Sequence, residues 1–122
     1  MQYAILCYDS EDEVCSWPKE KDDAAVAALG QVSNGLAKRG RLGPVGRLVP
    51  TSGAKTVRKA KDPIVMDGPF AETKEQLLGF FIVECETPDE AIDIAKEYAR
   101  ASSSSGAFEV RPLRFFAANG SG

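Results

Sequence analysis

An α+β sandwich of ferredoxin-like type is the fold this sequence predicts, and three observations predict it. The element order is strand, helix, strands, helix, strand. Two segments carry helical apolar stripes, and the strand candidates between them are short and apolar. The chain has 122 residues, 43% hydrophobic and 27% charged, the composition of one globular domain rather than a disordered segment. A mostly antiparallel sheet with two helices on one face follows, over residues 1–116, with residues 117–122 as a loose tail.

Tyr3-Ala4-Ile5-Leu6-Cys7-Tyr8 is β-prone and apolar on both faces, a buried strand. Asp9 to Trp17 is polar and acidic, a solvated loop. Pro18 and Asp22-Asp23 then lead into the first helix, whose Ala25, Leu29, Val32 and Leu36 form one stripe. Lys38-Arg39-Gly40 ends it with cations at the negative end of the dipole and a glycine cap. Gly30 and Gly35 sit awkwardly inside this helix, each costing about 1 kcal/mol against alanine.

Arg41 to Val49 is a short strand broken by Gly43, Pro44 and Gly46, and Thr51-Ser52-Gly53-Ala54 is turn chemistry. Thr56-Val57-Arg58 and Ile64-Val65-Met66 form the arms of a hairpin, which Asp67-Gly68-Pro69-Phe70 ends sharply. Leu77 to Glu86 is the clearest strand. Thr87, Pro88 and Glu90 make a capping box with proline at the first helical position. Ala91, Ile92, Ala95, Tyr98 and Ala99 are the apolar face of that second helix. Ser102 to Gly106 connects it to a last strand, Phe108 to Leu113.

Two helices cover only one face of such a sheet, yet Tyr3 to Tyr8 and Leu77 to Val83 are apolar on both. A homodimer packed sheet against sheet is the economical cover. A small organic ligand then has its natural site between helices and sheet, or at the dimer seam.

The charge balance excludes several functions. Fifteen Lys and Arg against 18 Asp and Glu leave a net charge of −3, the wrong sign for binding nucleic acid. No apolar run is long enough to span a membrane, and nothing at the N-terminus resembles a signal peptide. Three cysteines without CxxC spacing suit reduced thiols, so a cytoplasmic protein is expected. The chain has no histidine, which removes the commonest general base and most transition-metal sites. Asp9, Glu11, Asp12 and Glu13 lack calcium-loop spacing, and no GxGxxG or Walker motif is present, so neither metal nor cofactor is expected.

Met66 to Phe81, MDGPFAETKEQLLGFF, resembles the signature of the YCII-related, DGPF-domain family. The opening Tyr3-Ala4-Ile5-Leu6, Thr56-Val57-Arg58, the helix from Thr87 to Ala95 and the closing Glu109-Val110-Arg111-Pro112 recur in the same order. The resemblance covers residues 1 to 113 and implies the dimeric α+β barrel built from ferredoxin-like subunits. Wider relatives resemble small isomerases and dehydrohalogenase-like lyases, some with a His–Asp dyad. Without histidine, that dyad does not carry over to this chain.

Asp67 is the acid–base candidate, a carboxylate at a strand end beside apolar neighbours; the alternative is that it simply opens the Asp-Gly-Pro turn. Arg58 and Arg111, in strands, are candidates to bind a substrate carboxylate, although Arg111 has a structural partner available in Glu109. Tyr8 and Glu72 are further substrate-binding candidates, against which stand a core aromatic and a solvated loop. Cys7 and Cys85 lack a base to activate them. The expected function is small-molecule binding in a barrel pocket with carboxylate acid–base chemistry of isomerase or lyase type and no cofactor. The alternative is a non-catalytic ligand-binding or regulatory dimer.

Overall fold

The computed structural model of the chain describes residues 1–117. Four strands form one antiparallel sheet in the order β2 (Leu42–Arg47), β5 (Gln76–Glu84), β1 (Gln2–Asp9), β6 (Ala107–Pro112). Between β1 and β2 the chain forms α1 (Glu11–Cys15) and α2 (Lys19–Lys38), and between β5 and β6 it forms α3 (Pro88–Ala101). Each crossover links two parallel strands across one antiparallel neighbour, the split β-α-β arrangement of ferredoxin-like folds. A single 3-10 turn (Thr51–Gly53) leads to β3 (Lys55–Arg58) and β4 (Ile64–Asp67), which pair only with each other.

One helix more forms than the pattern predicts. Within the acidic stretch Asp9 to Trp17, whose composition predicts a loop, the Ser10 hydroxyl caps the Glu13 N–H at 3.4 Å, and Glu11, Asp12 and Glu13 occupy the positive end of α1. α2 starts directly after Pro18, earlier than Asp22. α3 starts as its sequence requires: the Thr87 hydroxyl accepts from Glu90 N–H at 3.2 Å, while the Glu90 carboxylate reaches back to Glu86 N–H at 3.1 Å. Its buried face is Ala91, Ile94, Ala95 and Tyr98; Ile92, expected inside, is 43% exposed.

Tyr3, Ile5, Phe81 and Val83 point from β1 and β5 into the core, where they meet Leu36, Ile94 and Tyr98. The Phe81 and Tyr98 rings stack at 4.0 Å, and the Tyr98 hydroxyl shares a 2.8 Å hydrogen bond with Ser33. The other sheet face carries Ala4, Leu6, Phe80 and Ile82 along its middle, only partly buried apart from Ala4. The expectation of strands apolar on both faces therefore holds for β1 and β5. The tail's remaining residues, 118–122, lie outside the described residues.

Candidate functional site

α2 is poor in large apolar residues through its first half. Where a core helix would set Leu or Ile toward the sheet, it offers Ala25 and Gly30, and only Leu36, near its end, is fully buried. The sheet beneath is equally slight: Cys7 and Gly79 are paired across β1 and β5. Small residues on both walls leave a cavity of about 280 Å³. Val45, Leu78 and Phe81 from the sheet, Ala25, Val26 and Leu29 from α2, and Val14 and Trp17 from the α1 segment make its lining mostly apolar.

The α1 segment stays over this cavity because both of its ends are tied. The Glu11 carboxylate accepts from Thr51 N–H at 2.9 Å and from the Thr51 hydroxyl, and Glu11 N–H donates to the Gln76 side chain at 2.9 Å. The hydrogen bonds from Thr51 hold the Glu11 carboxyl below its ordinary range. At the start of α2, Asp22 grips Arg47 of β2 at 2.7 Å, which lowers the Asp22 carboxyl and raises the Arg47 guanidinium.

One carboxylate is buried here. Asp9, the last residue of β1, is 7% exposed, the single charged residue in the buried set of the described residues. Its Oδ1 accepts from Gly106 N–H at 3.0 Å, and its Oδ2 is 3.5 Å from the Cys7 thiol. Position 106 has to be glycine, because a Cβ there overlaps the Tyr8 carbonyl and the Asp9 carboxylate. Burial first, then the adjacent Asp9 charge, push the Cys7 thiol up to about 12, so this sulfur stays protonated and is no nucleophile. Asp9 also borders a second cavity of about 290 Å³, between α3 and β6.

The five residues singled out from sequence lie elsewhere, and none lines the cavity under α2. Asp67 ends β4 with its side chain 88% exposed and paired with Lys55, and Arg58 is exposed on the facing strand. Glu72 is exposed in the loop that follows. Tyr8 and Arg111 belong to the open sheet face: the Tyr8 hydroxyl donates to Glu109 at 3.1 Å, and Arg111 lies 3.9 Å from the same carboxylate. That partner sits two residues away on the same strand. Tyr8 alone of the five borders the second cavity.

The signature segment has a visible structural task. Gly68 adopts φ 89°, its N–H donates to the Ala54 carbonyl at 2.8 Å, and its carbonyl accepts from Thr56 at 2.8 Å. Asp-Gly-Pro thus closes the hairpin onto β3. Asp9, by contrast, was hidden in the sequence as the first of several acidic residues. The one signal available was its place directly after an apolar strand.

Among the described residues, no group of three or more His, Cys, Asp or Glu is positioned to hold a metal, and no helix is long and apolar enough to cross a membrane.

Fold and cavity together define a ferredoxin-like α+β domain with a recess between its long helix and its sheet. The chain belongs to the YCII-related domain family, whose model matches residues 1–117. It is also similar to an uncharacterized protein of Rhizobium meliloti (strain 1021), 50% identical over 117 residues that cover 95% of this chain and 94% of the relative.

Proposed function

We propose that this protein binds a small organic molecule in the cavity under α2, and that Asp9 is the carboxylate that acts on it. The observation carrying this reading is a buried carboxylate bordering an apolar recess of about 280 Å³. Ligand sites are concave and mostly apolar with few polar groups, and a largely buried carboxylate at the edge of one is placed to act on a bound substrate. The acid–base role expected of Asp67 passes to Asp9, because Asp67 is in solvent and paired with Lys55. The chemistry is cofactor-independent proton transfer at carbon, of isomerase or lyase type.

A second reading, binding without catalysis, is favoured by the two donors already on Asp9, which suit a fixed acceptor as well as a base. Thermal-shift screening of small organic molecules against the native protein, Asp9→Asn and Asp67→Asn tests the site. Hits whose polar group engages the carboxylate are expected to show a smaller shift in the first variant and an unchanged one in the second; neutral hits held by the apolar lining keep theirs in both. Equal shifts in all three proteins across every hit refute the assignment. Deuterium uptake at a carbon of a hit, abolished in Asp9→Asn, separates catalysis from binding.

The assembly proposed is a homodimer through the open sheet face, supported by Ala4, Leu6, Phe80 and Ile82 along its middle. A monomer by light scattering at micromolar concentration would falsify it. A reducing, cytoplasmic setting is proposed as well, supported by three free cysteines, of which Cys85 is buried.

A further inference from the structure

We propose that the cavity under α2 selects a cationic amine on an apolar body of one or two rings and rejects carboxylates. This rests on the reading of that cavity as the binding site and names the class of its ligand. Three charged side chains reach the lining: Asp9, Asp22 and Arg47. Arg47 is already committed, since its Nη2 donates to Asp22 Oδ1 at 2.7 Å and its Nη1 reaches Asp22 Oδ2 at 3.5 Å. That end-on fork is occupied by Asp22, whose charge offsets the guanidinium's and weakens its pull on a ligand carboxylate. The pair cancels, and the formal charge left to the lining is that of Asp9.

Asp9 has capacity left for a ligand. Each carboxylate oxygen has two lone pairs, and each oxygen here has one donor, Gly106 N–H on Oδ1 and the Cys7 thiol on Oδ2. Beside a carboxylate that is 7% exposed, an ammonium gains a charge-assisted hydrogen bond, whereas a second carboxylate meets like charge with little water between. Lys21 lies near the mouth, 4.5 Å from the Trp17 ring centroid, but it is exposed and screened by solvent. Size sets the body: an apolar cavity of about 150 Å³ holds benzene. This one is about 280 Å³, room for two fused rings.

The test is isothermal titration with three probes on one ring system: naphthylmethylamine, naphthalenemethanol and naphthoate. The amine is expected to bind about tenfold or more tighter than the alcohol, and the naphthoate most weakly, as one hydrogen bond to a charged group implies. Asp9→Asn keeps an acceptor for Gly106 N–H. It is expected to lower amine affinity about tenfold and leave alcohol affinity within about twofold. Should that variant fail to fold, the ligand's own charge serves instead in the native protein: amine affinity falls as alkaline pH neutralises the ammonium, and alcohol affinity does not. Naphthoate binding as tightly as the amine, with the alcohol also bound, overturns the charge selection and leaves the cavity reading standing. Absence of heat from all three probes overturns both.

Discussion

Gly30 is where the cavity can be tested most directly, through stability. It sits inside the 20-residue α2, its φ is not positive, and a Cβ built on it meets nothing within 4 Å. No turn, bulge or close approach requires glycine there, yet it lines the cavity. Gly30→Ala removes a helix-interior glycine and is expected to stabilise by about 1 kcal/mol. For a domain of 122 residues that is a rise in Tm of roughly 3–5 °C. Gly35 is the internal control, equally open and in the same helix but outside the cavity lining. Gly35→Ala is expected to give a similar rise. The two part company in ligand binding: Gly30→Leu, which sends a full side chain into the recess, abolishes amine binding, and Gly35→Ala leaves it intact. Thermal unfolding by circular dichroism and the titrations above measure both effects. A fall in Tm for Gly30→Ala, or full amine binding by Gly30→Leu, refutes the reasoning that glycine keeps this space open.

Thiol reactivity follows burial: with Ellman's reagent at pH 8, exposed Cys15 reacts first, while buried Cys85 and the raised Cys7 lag; a fast phase that survives Cys15→Ser contradicts this. Acid sensitivity follows from Glu11 and Asp22, whose carboxyls are lowered in the fold from ordinary values of 4.5 and 3.8. Their contribution is complete above those values and is lost as pH falls through the folded ones, so Glu11→Gln is expected to flatten the acid limb of stability below pH 4.5. An unchanged acid limb in denaturant titrations at pH 3–5 contradicts that link to Thr51. Gly106→Ala drives a methyl into the Tyr8 backbone and the Asp9 carboxylate; a loss of about 3 kcal/mol, roughly 10 °C in Tm, is expected, and a neutral result disproves the close packing at this position.

Much of the fold was legible because its signals are local. The capping box at Thr87 and Glu90, the turn at Asp67-Gly68 and the apolar run of β5 each depend on neighbours a few residues apart. The structure departs from the sequence pattern at two short-range features. Ser10 nucleates α1 inside an acidic stretch that composition alone makes a loop, and Ile92 lies one position off the stripe that Ile94 completes. The candidate site was less legible. Asp67 and Glu72, in the signature, and Arg58, ahead of it, lie on the hairpin and its exit loop, away from the cavity under α2. Asp9 and Arg47 are unremarkable in sequence, 38 positions apart, and only the sheet brings them to one cavity.

By itself the sequence determined the class of fold, the start of α3, the family and the absence of histidine chemistry. All of these are written in spacing and composition. It also marked Gly30 as out of place, without saying why. The tertiary structure alone decided the reason: α2 passes over Cys7 and Gly79, small residues face small residues, and the gap between them holds the edge of a buried carboxylate. A cavity is made by what side chains on distant segments fail to fill, and local pattern carries no record of that.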